Sequence, residues 1–219
     1  MDAVPPATEP PTPRLRGRIH QVAFFVSIPT GLVLVALAGG GVRMAVAAIY
    51  AASLTAVFGA SAAYHRGPWS PRARRWMKRL DHSMIFVLIA GSYTPVSVLA
   101  LDGPWEVVLL SLVWAGAAVG VTLKTARPDG LPVLTGILYM ALGWLALVAL
   151  PQLVKGMTPA ALALMVSGGL LYTAGAIVFA SRRPDPRPGS FGYHEVWHAF
   201  QVAAAVCHYA MILLVLRAA

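Results

Sequence analysis

The residues most able to do chemistry sit in or beside apolar runs. His65 closes one run, Asp81 and His82 open another, and His194, Glu195 and His198 open the last, which also holds His208. His20 opens the first run. Ionisable groups in such places are costly and are functional candidates by default. His194 and His198 are four residues apart, so on a helix they share a face about 6 Å apart along the axis. That spacing suits two imidazoles on one metal ion. Ser61 and His65 have the same separation. A third histidine from another helix completes a three-histidine site. Such a site leaves the fourth tetrahedral position for water, the arrangement of catalytic rather than structural zinc. Asp81 is the candidate to accept a proton from that water or hold it in place.

The chain that must position these groups has the composition of a membrane protein. Hydrophobic residues make up 58% of the 219, charged residues 11%, and mean hydropathy is +0.70. A soluble domain carries about 25% charged residues, so lipid rather than water is the expected solvent. A spanning helix needs roughly 20 mostly apolar residues. Seven runs qualify: 19–38, 43–64, 80–100, 105–123, 131–150, 159–180 and 193–216. Turn signals separate them, among them Gly67-Pro68, Gly103-Pro104 and Pro128-Asp129-Gly130. The expected fold is all-α, a seven-transmembrane helix bundle forming one domain over 19–216. A proline-rich basic segment over 1–18 precedes it and reads as a disordered tail. The first run reads as a retained helix rather than a signal peptide.

The net charge of +9 does not point to nucleic acid, because the basic residues stand in short blocks between the apolar runs. One set of connections carries Arg14, Arg16, Arg18, Arg66, Arg72, Arg74, Arg75, Lys78, Arg79, Lys124, Arg127, Arg182, Arg183 and Arg187. The other carries Arg43, Lys155 and Arg217. The positive-inside rule puts the N-terminus in the cytoplasm and the C-terminus outside. Membrane lipids are the expected partners, with anionic headgroups at the basic loops. The expected location is the cell membrane, as a multi-pass protein. With that orientation His65, Asp81, His194 and His198 all fall at one depth near the cytoplasmic face.

Other features have plainer readings. Ser70-Pro71 and the basic residues after it, with Trp76, Met77 and Leu80, read either as a short interfacial helix or as an unstructured basic loop. Gly116, Gly120, Gly136, Gly143, Gly168 and Gly169 are read as helix-packing positions, and Pro95 behind Gly91 as a kink in the third span. Cys207 is the sole cysteine, so no intrachain disulfide forms. A lone histidine at a helix end is more often interfacial than a ligand, which covers His20 and His82. His208 lies about 15 Å deeper than His198 by helical rise, too far for the same ion. His194 to His198 also fits H-E-x-x-H, in which the glutamate is the base of a zinc protease. The extended form of that motif is absent, and Asp81 explains more than Glu195 does.

Taken in order, Ser61-Ala62-Ala63-Tyr64-His65, Leu80-Asp81-His82-Ser83-Met84-Ile85, Leu88-Ile89-Ala90-Gly91-Ser92-Tyr93-Thr94-Pro95, and His194-Glu195-Val196-Trp197-His198 with Cys207-His208 resemble the hemolysin III family. That family is the bacterial branch of the progestin and adipoQ receptors. The resemblance covers residues 19–216. It implies seven helices with a cytoplasmic N-terminus and one zinc ion held by His65, His194 and His198. Asp81 would contact the zinc-bound water, with Ser61 nearby. Adiponectin receptors and alkaline ceramidases imply a zinc-dependent hydrolase of a lipid amide or ester. The alternatives are a regulator of membrane-lipid homeostasis with structural zinc, or a pore-forming cytolysin, which the sparsely charged spans support poorly.

Overall fold

A computed structural model describes residues 13–219. Its helices are α1 (Arg18–Leu37), α2 (Gly41–Arg66), α3 (Pro71–Ala100), α4 (Pro104–Ala126), α5 (Pro132–Gly143), α6 (Leu150–Gly156), α7 (Pro159–Ser181) and α8 (Tyr193–Ala218). A short 3₁₀ segment, Leu145–Ala149, joins α5 to α6. Counting α5 to α6 as one crossing, seven helical stretches among the described residues are long and apolar enough to span a bilayer. Residues 1–12 of the expected tail lie outside the described residues.

The distribution of side chains is that of a protein solvated by lipid. Large apolar residues face outward, among them Val22, Phe25 and Leu32 on α1, Val107 on α4 and Ile177 on α7. Small polar residues are turned inward: Ser53, Ser61, Ser83, Thr94, Ser97 and Gln201 are all buried. Such an arrangement costs free energy in water and none in hydrocarbon. Helices adjacent in sequence pack side by side from α1 to α4, and α7 pairs with α8. Helix α8 also packs against α1, α2 and α3, which brings its first turns to the end of α2.

The basic segment after residue 70 is neither a loop nor a separate interfacial helix. It is the first turns of α3, which runs unbroken from Pro71 to Ala100 through Pro95. Ser70 caps it by accepting from Ala73 N at 3.3 Å, and Pro71 occupies the first helical position. Trp76 and Leu80 on this extension are exposed, and Arg79 lies over the Trp76 ring at 4.5 Å.

The fifth crossing also differs from the single helix expected over 131–150. It breaks at Gly143, and helix resumes over Leu150–Gly156. The cause lies on α3. Tyr93 Oη donates to Gly143 O at 3.1 Å and accepts from Ala146 N at 2.8 Å, so a side chain replaces part of the backbone ladder. Pro151 follows and lacks the N–H that would continue it. Two glycines expected at helix contacts, Gly136 and Gly143, face open space instead. Gly116, Gly120 and Gly168 do sit against Leu142, Phe86 and His208.

Removing the Tyr93 hydroxyl leaves Gly143 O and Ala146 N without that partner. Tyr93→Phe is expected to lower stability by about 1–3 kcal/mol, read as a lower Tm in detergent. An unchanged Tm would show that the break does not depend on Tyr93.

Candidate metal centre

His65 ends α2, and His194 and His198 lie on one face of the first turns of α8. Ring centroids are 4.8 Å apart for His65 and His194, 5.2 Å for His65 and His198, and 4.6 Å for His194 and His198. One ring nitrogen from each lies within 4.8 Å of the others, close enough for a single metal ion. His198 is buried, and the other two are half-buried. The donor set fits an imidazole-binding metal such as zinc, copper, nickel or iron. A buried polar atom fits as well. His198 Nδ1 has no hydrogen-bond partner among the described residues, a cost that metal ligation or a bridging group at this ring would relieve.

Asp81 and Ser61 stand beside the cluster. Asp81, in α3, is near the Ser61 hydroxyl of α2; its Oδ2 is 3.8 Å from His82 Nδ1, and its side chain is 15% exposed. It is not among the three converging ligand residues. His208 is elsewhere, packed against Gly168 and Tyr172 deeper in the bundle. His82 turns to the carbonyl of Lys78 at 2.8 Å and to the Tyr64 ring.

The structure changes the reading of two residues. His20 is not interfacial. It is buried, its ring stacks on His198 at 3.9 Å, and its Nδ1 is 2.8 Å from Ser61 Oγ. With Nδ1–H donating to Ser61 Oγ, the neutral His20 ring carries its lone pair on Nε2. That Nε2 is buried without a partner among the described residues. One signal could have found it: α1 opens at the same end of the bundle as α8, so its first histidine shares the depth of the others.

Glu195 is the second. It is fully buried, and both of its oxygens are occupied. Oε1 accepts from Arg16 Nε, and Oε2 accepts from Gly192 N at 2.8 Å, closing the start of α8. A carboxylate so engaged is not a free base, which removes the protease reading of His194 to His198. Arg16 reaches it from the segment expected to be disordered. From Pro13 onward that segment is held in place. Arg14 N and Leu15 N donate to Gly189 O and Ser190 O, at 3.3 and 3.1 Å. Gly17 has a φ of 76°, and a Cβ there would come within 2.7 Å of His65 Cβ. Only glycine combines that backbone with that closeness. Residues 13–17 therefore form a strap across the histidines.

The family described as Haemolysin-III related matches residues 9–209. The chain belongs to the haemolysin III family. It is 30% identical to Hemolysin-3 of Bacillus cereus over 197 residues, 89% of this chain and 87% of that protein. It is 26% identical to the Hemolysin-3 homolog of Bacillus subtilis (strain 168), covering 89% of each. A rice protein named Heptahelical transmembrane protein ADIPOR1 is 30% identical over 172 residues, 68% of this chain and 44% of that one. Family and spans together make this a multi-pass protein of the cell membrane.

Arg16→Ala would strand a buried carboxylate, a loss of about 3–5 kcal/mol. Pairing Arg16→Gln with Glu195→Gln is expected to restore most of it. Thermal unfolding of the three proteins checks this, and an Arg16→Ala variant as stable as wild type would contradict it.

Proposed function

We propose that this protein is a zinc-dependent hydrolase of a membrane-lipid amide or ester. One observation carries the reading: three imidazoles converge, no carboxylate among the described residues joins them, and Asp81 and Ser61 stand beside them. The incomplete ligand set matches open catalytic sites better than closed structural ones. His65, His194 and His198 would hold the ion. A bound zinc ion would polarise a scissile carbonyl and make a coordinated water acidic near neutral pH.

The chain's own residues supply the rest. Asp81 takes the proton released by the attacking water and returns it to the leaving group. Ser61, tied to His20, fixes the orientation of that carboxyl. Arg16 and the strap limit access of bulk water from the end of the bundle where the histidines lie. The positive-inside rule makes that the cytoplasmic end. The substrate is then a lipid whose labile bond lies at the cytoplasmic boundary of the bilayer.

A second reading has its own observation. The ligands come from α2 and α8, distant in sequence, so a metal would staple two helices together. A regulator of membrane-lipid homeostasis with structural metal would use the site that way.

Metal analysis and turnover separate the readings. Purified wild type is expected to carry about one zinc per chain, and His65→Ala, His194→Ala or His198→Ala to lose it. Asp81→Asn is expected to keep the metal and to lose 10²-fold or more of lipid hydrolysis in proteoliposomes, the scale of general acid–base catalysis. Hydrolysis unaffected by Asp81→Asn would contradict its role. Metal without any lipid cleavage would favour the structural reading.

A further inference from the structure

Three arginines stand around the end of α2 that carries His65, and contacts hold two of them, Arg16 and Arg74. Arg16 is held by buried Glu195 through Nε alone, so its terminal nitrogens have no partner among the described residues. Arg66 follows His65 in the chain, and its Cγ lies 3.0 Å from where a Cβ on Gly17 would stand. Arg74 lies over the Tyr64 ring at 5.3 Å, and that ring is 4.7 Å from the His65 ring. The charges of Arg16 and Arg74 both act on His65. Among the described residues, the acidic groups nearby have partners of their own. Glu195 offsets Arg16, Asp81 faces Ser61, and exposed Asp185 accepts from Tyr193 N at 2.8 Å.

Basic residues at the ends of spans are common and often only set topology. Such residues project into water. Arg66 and Arg74 are exposed in that way, but Arg16 is not: its side chain is 20% exposed, and its partner is fully buried. A guanidinium fixed by a buried carboxylate, with its terminal donors unspent, is preorganised for a second anion. Arginine suits phosphate because its planar fork donates two parallel hydrogen bonds.

We propose that Arg16, Arg66 and Arg74 form a rim that binds the phosphate of an anionic membrane lipid and sets it over the histidine cluster. This rests on the hydrolase reading in so far as the lipid is a substrate, and it narrows the substrate class to lipids that carry a phosphate near the labile bond. Binding itself does not require turnover.

The test is a set of binding titrations on the full-length chain in detergent. The probes are dihexanoyl-phosphatidate, dihexanoyl-phosphatidylcholine and inorganic phosphate, each used on untreated and on metal-stripped protein. Phosphatidate is expected to bind at least ~10-fold more tightly than the other two, in both metal states. Arg66→Gln and Arg74→Gln should each weaken it about tenfold, the scale of one charge-assisted hydrogen bond. Because Arg16→Ala endangers folding, Arg16→Gln is made together with Glu195→Gln, with the same loss expected. Arg187→Gln, on another connection, should leave affinity unchanged. Equal affinity for phosphatidylcholine, or no effect of Arg66→Gln and Arg74→Gln, overturns the rim. Inorganic phosphate binding as tightly as phosphatidate makes this a free-anion site and overturns the lipid assignment. Binding lost on stripping the metal places the phosphate on the ion instead. A failure of the hydrolase reading alone would leave phosphatidate binding intact with no cleavage.

Discussion

Inside a bilayer no water is at hand to satisfy a polar group, so every such group must find its partner within the protein. That constraint shapes the whole molecule. It makes each crossing helical, because a helix bonds its own backbone. Where the backbone ladder fails at Gly143, the Tyr93 hydroxyl from α3 takes up both loose ends. The constraint also turns Ser53, Ser61, Ser83, Thr94, Ser97 and Gln201 inward and leaves much of the outer surface to valine, leucine and phenylalanine. At the histidine cluster it acts most strongly. Imidazoles from α1, α2 and α8 crowd together there, and buried nitrogens are left without partners among the described residues.

The site is a composite of chain segments that only the bundle brings together. Helix α2 delivers Ser61 and His65 at its end, α3 delivers Asp81 in its third turn, and α8 delivers His194 and His198 at its start. The strap before α1 adds Arg16 and Gly17, and the first turn of α1 adds His20. Glu195 ties these layers to one another. It closes the first turn of α8 through Gly192 and fixes the strap through Arg16. Its position between His194 and His198 is thus structural, which in the proposed hydrolase leaves proton transfer to the carboxylate on α3.

Much of this was legible in the sequence, for reasons that can be named. Runs of about 20 apolar residues have no alternative in a chain with so few charges. Successive crossings must alternate in direction, so His65, Asp81, His194 and His198 had to arrive at one end. The parts that could not be read depend on partners far away in the chain. The break in the fifth crossing comes from a tyrosine 50 residues earlier. The role of Glu195 depends on an arginine 179 residues away, in a segment whose prolines signal disorder. His20 was legible in principle, since the same reasoning about depth applies to it. Weighed alone, it looks like any histidine at a helix end.

The account stands on a metal held by three imidazoles with one position left open. X-ray absorption at the metal edge of the purified full-length protein addresses this most directly. It is expected to show the multiple-scattering signature of about three imidazole nitrogens near 2.0–2.1 Å, with a light oxygen-type scatterer completing the shell. A shell with sulfur near 2.3 Å, or one without the imidazole signature, would contradict the assignment of His65, His194 and His198 as the ligands.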